Sequence, residues 1–337
     1  MLIKRLRDLL AIATICAAPF VVTQPANAQS VVFGLPGVPP VFLSVQEYVA
    51  QDAGFFKKYG VDVTLRQFDS GTAAARAVAS GDIDLSMSPT PPVVNIIGNS
   101  KVPLVGIYGL EHPDWLIAST DPSIKSCEDL KGKSIGVDTP GGARSVALRQ
   151  MTAPCHIKLT DLQQVPLGSN TGAAMIAGQI KVGVLHLDDL SVIQGQLKKP
   201  LTIVTRLKDT KKVSHYDILI MLKDKLAKER DKAVRIVAAM VDAERYMRDP
   251  KNADRVADIA KVTGRTHAEA KDALKNYLAM EFWPKDGAGL TAANIEAEIK
   301  TQVAVGGIKK GNTPPKVEQI IDPSIYQDAI KLIAKTK

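Results

Sequence analysis

The feature that most constrains this chain is the way short apolar runs take turns with small-residue helical stretches, each turn marked by a glycine. Val31 to Leu35 is an apolar strand that ends in Pro36-Gly37-Val38-Pro39-Pro40. Ser44-Val45-Gln46-Glu47 then has the spacing of a capping box, in which serine and glutamate satisfy opposite free amides at a helix start. That helix runs to about Asp52 and stops at Gly54, a residue that tolerates the left-handed cap. Val61, Val63 and Leu65 alternate as a second strand. Ser70, Gly71 or Thr72 caps a helix through Ser80, Gly81 ends it, and Ile83 to Met87 reads as a third strand. Alternation of this kind implies a parallel sheet with helices on both faces.

The pattern recurs. Ala77-Val78-Ala79-Ser80-Gly81-Asp82-Ile83-Asp84 and Ala174-Met175-Ile176-Ala177-Gly178-Gln179-Ile180-Lys181 each spell a helix end, a glycine stop and the approach to a strand. Upstream of the second copy, Ser134 to Val137 is a strand, and Thr139-Pro140-Gly141-Gly142-Ala143-Arg144 opens another helix. Two α/β units of about a hundred residues each agree with a length beyond what one core usually fills. Asp114-Trp115-Leu116-Ile117-Ala118-Ser119 leaves the first unit, and Tyr216 to Leu222 reads as the strand that returns to it. From Lys225 onward the pattern is almost wholly helical, with Val234, Val237, Ala238 and Val241 forming one face. Two passes between lobes, followed by helices that pack on the first, describe a hinged clamshell. Its lobes are expected at 29–117 plus 220–337 and at 118–219, with a hinge at 116–119 and 217–221.

The amino terminus sets the expected compartment. Lys4, Arg5 and Arg7 precede an apolar run from Leu9 to Val22, and Ala26-Asn27-Ala28 supplies the small-x-small pattern of a signal peptidase site. The run is short for a bilayer span, so cleavage after Ala28 and a secreted, soluble, periplasmic chain are expected. Cys127 and Cys155 remain after cleavage. An oxidising compartment permits a disulfide, two buried thiols are equally consistent with the sequence, and no CxxC or Cys/His spacing points to metal. The net charge of +8 falls to +6 once three leader bases and one leader acid are removed. The remaining charges are scattered, without the aromatic-studded basic stripe of a nucleic-acid binder, so no nucleic-acid partner is expected.

The order of these features resembles the substrate-binding proteins of ABC importers, specifically the NMT1/THI5-like group of nitrate, sulfonate, taurine and thiamine-pyrimidine binders. The resemblance is carried by "EYVAQDAGFFKKYGVDVTLRQFDSGTAAARAVASGDIDLSM", "SIKSCEDLKGKSIGVDTPGGARSVALRQM" and "VPLGSNTGAAMIAGQIKVGVLHLDD". It covers most of residues 31 to 222. It implies a type II clamshell of two mixed sheets flanked by helices, with a helical C-terminal part. It also implies a monomer that delivers a small ligand to a membrane permease and its ATPase, without a cofactor. Where relatives often read glycine, an apolar residue, aspartate and alanine, this chain has Gly178-Gln179-Ile180-Lys181-Val182-Gly183, so no relative's ligand is carried over.

In such folds ligands sit beyond the carboxyl ends of strands. The resemblance therefore implies a site built from Pro39 after the first strand, from Ser70, Gly71 and Thr72, and from Ser88 and Thr90 on a proline-stiffened corner. The second lobe would add Thr139, Gly141 and Gly142, together with Asn170 and Thr171. Helix N-termini from both lobes favour negative charge, and Arg144 would add a bidentate bond to a carboxylate or sulfonate. Phe42, Tyr108 and Trp115 would stack on a planar ligand. His112 and His186 are the histidines nearest the expected cleft, and His186 or Asp188 would hydrogen-bond the ligand. One of Asp188 and Asp189 is expected to cap a helix instead. The expected ligand is thus a small organic anion, aromatic in one reading.

Two other function classes remain open at this stage. A ligand-sensing protein that reports to a membrane receptor would carry the same sequence. A pyrimidine-making enzyme like the yeast-type relatives would need a cysteine-rich motif that this chain lacks. No GxSxG, HExxH, P-loop or GxGxxG occurs in its required context. Only His186 with Asp188 offers an acid–base pair, so no catalytic residue is expected.

Overall fold

Two sheets receive the strands. The computed structural model describes residues 30–210, 217–287 and 290–336. The leader and its cleavage site, expected at 1–28, lie outside the described residues. The first sheet takes β1 (Val31–Pro36), β2 (Val63–Phe68), β3 (Leu85–Pro89) and β4 (Leu104–Glu111). The second takes β5 (Leu116–Ser119), β6 (Ser134–Val137), β7 (Gln163–Pro166), β8 (Val182–Leu185) and β9 (Thr202–Arg206), and β10 (Asp217–Leu222) returns to the first. Their orders, β2-β1-β3-β10-β4 and β7-β6-β8-β5-β9, are the same pattern twice. The fourth strand of each runs antiparallel to both neighbours, so both sheets are mixed where alternation alone implied parallel ones.

The helices of the first unit are α1 (Val45–Asp52), α2 (Phe55–Lys58), α3 (Gly71–Ser80) and α4 (Thr90–Ser100). Those of the second are α5 (Ala143–Thr152), α6 (Thr171–Ile176), α7 (Asp189–Leu197) and α8 (Leu207–Thr210). The tail adds α9 (Lys223–Lys228), α10 (Arg230–Arg248), α11 (Ala253–Ala260), α12 (His267–Ala279), α13 (Ala292–Ala304) and α14 (Ser324–Lys335). Strand alternation divides the cores. On β10, Leu219 and Met221 pack toward α1 and α10, whereas Ile218 and Ile220 pack toward α3, α4 and α13. On β5, Ile117 joins one core of the second sheet, and Leu116 and Ala118 join the other.

Several local expectations are met and others are corrected. Gly54 and Gly81 are left-handed, at φ of 77° and 84°, and Ser70 Oγ accepts from Ala73 N at 3.2 Å as the cap of α3. The Ser44–Glu47 capping box does not form. Phe42–Ser44 is a 3-10 turn that feeds directly into α1, so Ser44 is not extended, and its Oγ donates to Met87 Sδ at 3.9 Å. Glu47 turns inward and is 1% exposed. The third strand starts at Leu85, because the Asp82 and Ile83 amides still pair back to the Ala77 carbonyl. Cys127 and Cys155 form a disulfide, with sulfurs 2.05 Å and Cα atoms 6.2 Å apart, pinning the turn before β6 to the chain after α5. The segments expected as the hinge, 116–119 and 217–221, are strands, one in each sheet. The connections between sheets are residues 112–115 and the stretch that follows β9.

Candidate functional site

The parallel strands of both sheets point their carboxyl ends at one cleft. From the first sheet come Pro36 and Gly37 at the end of β1, Asp69 to Thr72 running from the loop after β2 into the first turn of α3, and Pro89 closing β3. From the second come Asp138 after β6, Ala143 and Arg144 in the first turn of α5, Gly168 and Ser169 after β7, and His186 after β8. An antiparallel strand begins where its parallel neighbours end. Trp115, just before β5, and Asp217, opening β10, therefore join the lining, and Val41 and Leu43 on the approach to α1 finish it. The cleft holds about 490 Å³ of empty space, its open mouth included. A second space of about 810 Å³ shares Val41, Arg144, Ser169 and His186 with it and extends to Pro39, Asn170 and Asp188 and to Thr263 and Arg265 of the tail.

Of the residues expected from the sequence, Ser70, Gly71, Thr72, Trp115, Arg144 and His186 line the cleft, and Pro39, Asn170 and Asp188 line the adjoining space. Gly71 is needed for close approach, since a Cβ there would meet Pro89 Cδ at 2.4 Å. Ser88 and Thr90 do not form a presented corner. Ser88 is buried within β3, its Oγ 2.7 Å from Ser86 Oγ, and Thr90 is the buried first residue of α4. Pro91 and Pro92 stand in that first turn, where a missing N–H costs nothing. Phe42 and Tyr108 are core residues: Phe42 stacks on Tyr277 at 5.5 Å, and Tyr108 packs beneath Gly287. Thr139 and Gly141 are exposed and line neither space, and Gly142 packs against Asp138. Thr171 is buried and accepts from Arg144 Nη1 at 3.2 Å. His112 faces the tail, its Nδ1 3.0 Å from the Glu281 carbonyl, and burial pushes its pKa down.

The polar side chains of the cleft are tied to one another. Arg144 Nη1 also donates to Gly168 O at 2.8 Å, Nη2 stands 3.9 Å from Asp189, and the guanidinium lies 5.6 Å from the Trp115 ring. His186 Nδ1 is 2.8 Å from Asp114 Oδ1, and its ring centroid is 3.7 Å from that of Trp115. Tyr277 Oη, from α12, lies 2.7 Å from Asp114 Oδ2 and 2.6 Å from Asp188 Oδ1, and Arg265 pairs with Asp188. Neither aspartate caps α7 through its side chain, contrary to expectation; Asp189 instead accepts from His186 N, ahead of the helix, at 3.1 Å. Burial pushes the Asp114 carboxyl up, but His186 and the hydrogen bonds from His186, Leu187 N and Tyr277 outweigh it and hold it below the ordinary range.

Sequence reasoning missed the acids. Glu47, Glu111 and Asp217 are each 1% exposed. Burial pushes Glu47 up to about 8, and burial together with the neighbouring carboxyls pushes Glu111 and Asp217 well above the carboxylate range. The available signal was an aspartate placed just before an apolar crossover strand, in Asp114-Trp115-Leu116 and again in Asp217-Ile218. Among the described residues no cluster with metal-holding geometry occurs, and no helix is long and apolar enough to cross a membrane.

The model of the NMT1/THI5-like family matches residues 43–253. A protein of Brucella abortus, named as a candidate binding protein, is 28% identical over 131 residues, 39% of this chain and 40% of that relative's length. The periplasmic nitrate-binding protein NrtA from Synechocystis PCC 6803 superposes with a TM-score of 0.77 at 13% identity, covering 92% of this chain and 91% of its own. The alkanesulfonate-binding protein SsuA from Xanthomonas axonopodis pv. citri, bound to MOPS, gives 0.71 at 16% identity over 87% and 98%. At these identities the likeness to the solved structures is one of fold: two mixed sheets flanked by helices.

Proposed function

This chain belongs to the NMT1/THI5-like family, and we propose that it is the solute-binding component of an ABC uptake system, exported to the periplasm and working as a monomer with a permease and its ATPase. The observation that carries this reading is the cleft itself. Its walls come from both sheets, so a ligand touching both favours the closed arrangement by its differential contacts. The lobes turn about residues 112–115, which lead from β4 in one sheet to β5 in the other. Ser169 Oγ, 3.3 Å from the Val38 carbonyl, is one bond that closure would make across the mouth. The Cys127–Cys155 disulfide supports an oxidising compartment.

Arg144 supports an anionic group on the ligand only in part, because its Nη1 is already spent on Gly168 and Thr171. Trp115 on the wall supports an aromatic or apolar portion. The test is thermal shift of the protein against nitrate, sulfonates, carboxylates, amines and pyrimidines. A ligand that binds only the folded state raises the midpoint by mass action. Thr72→Arg, which fills the cleft from a partly exposed position, should abolish that shift while unfolding stays cooperative. A shift retained in the variant would move the site away from α3.

A further inference from the structure

The inner end of the cleft is acidic. Asp217 lines the cavity, is 1% exposed, and its Oδ1 has no hydrogen-bond partner among the described residues. Sheet register sets it opposite Glu111, the last residue of β4. Glu47 comes from α1, and both of its carboxyl oxygens lack a partner among the described residues; Glu111, its carboxyl protonated, shares a hydrogen bond with Asp217. No ion pair to any of the three occurs among the described residues, although each is almost wholly removed from water. Two further carboxylates, Asp69 and Asp138, line the same cleft and are less buried. Against these five acids the cleft sets Arg144 and His186, which are held by Gly168, Thr171 and Asp114.

We propose that the cleft recognises its ligand through a positively charged nitrogen group, an ammonium, amidinium or protonated amino-heterocycle, seated against Asp217 with Glu111 and Glu47 behind it. This deepens the solute-binding reading and rests on it. Without a counter-charge, burial and mutual repulsion keep these carboxyls protonated. A cation within hydrogen-bond reach reverses that balance. Asp217 gives its proton to solvent and pairs with the incoming nitrogen, so one cation enters for about one proton released. A sulfonate or carboxylate at the same position would be repelled once any one of the acids ionised.

The test is saturation-transfer NMR on the full chain with matched fragments at millimolar concentration: benzylamine, benzamidine and 4-aminopyridine against benzoate, benzenesulfonate and pyridine. The cationic fragments are expected to bind and their signals to be lost in Asp217→Asn, whose amide is close in shape to the protonated acid. Should that variant fail to fold, calorimetry of the unaltered protein with benzamidine in two buffers of different ionisation enthalpy decides. Release of about one proton supports the proposal, and no release overturns it. Binding of the anions alone overturns the cationic ligand and leaves the solute-binding reading standing. Equal binding of cations by the protein and by Asp217→Asn overturns the assignment to Asp217. If no fragment of either charge binds, the cationic assignment falls, and the solute-binding reading is decided by the thermal-shift panel.

Discussion

A glutamate in a first helical turn ordinarily faces water and the helix dipole; Glu47 faces two other acids. Its pKa of about 8 lies above the ordinary 4.5, so between those pH values the folded chain holds a proton that the unfolded chain has lost. The contribution is complete below pH 4.5 and disappears as pH rises through 8, and Glu111 and Asp217 push the same way. Unfolding midpoints should therefore fall across that window. Glu47→Gln, which carries no titrating proton, should flatten the fall by about 2–5 kcal/mol. A midpoint independent of pH in the unaltered protein would show the acids already paired. The sequence could not show this. Ser44 and Glu47 carry a capping signal, and what cancels it is the 3-10 turn at Phe42–Ser44. The company Glu47 keeps is set by the pairing of β4 with β10, whose residues lie more than a hundred positions apart.

At the level of elements, the Cys127–Cys155 bridge spans 28 residues and closes a loop that contains β6 and α5. Cross-linking a loop of that length restricts the unfolded chain by about 3–4 kcal/mol in the chain-entropy view. Replacing both cysteines with serine should lower the stability of the second unit by that order. Denaturation followed by hydrogen exchange would report the loss in β6 and α5 and spare β1 to β3. A uniform loss across both sheets would instead show that the two units unfold together. Elements were the most legible part of the chain. The β6 span, the α3 cap and both glycine stops follow from residues adjacent in sequence. For the cleft, Ser70 to Thr72, Trp115, Arg144 and His186 were also readable, because they flank strand ends. Ser88 and Thr90 misled because prolines that mark a helix's first turn look the same as prolines that stiffen a loop.

For the whole molecule, the tail is more than a cover for the first sheet. Tyr277 of α12 packs with the core of the first sheet, while its hydroxyl sits between Asp114 on the sheet-to-sheet connection and Asp188 beyond β8. Arg265 adds a pair to Asp188 from the same region. Arg149 of α5 donates to the Val305 carbonyl at 3.0 Å, a further tie from the tail to the second unit. The two units are therefore tied together outside the cleft as well as across it. Tyr277→Phe removes hydrogen bonds to charged partners, which cost about 1.5–3 kcal/mol when lost. It should enlarge the radius of gyration measured by X-ray scattering in the absence of ligand. Unchanged scattering would mean that the tail packs against the second unit without restraining it.

The exchange of strands between the sheets also bears on the order in which the molecule can be assembled as its chain emerges. Every strand of the second sheet lies between Leu116 and Arg206, so that sheet can close as soon as β9 is available. The first sheet begins 85 residues before the second, yet it has no partner between β3 and β4 until Asp217–Leu222 arrives. The part made first is thus the part finished last. Through that interval the edges of β3 and β4 lack the strand that later pairs with both, the kind of unpaired edge that invites misassociation.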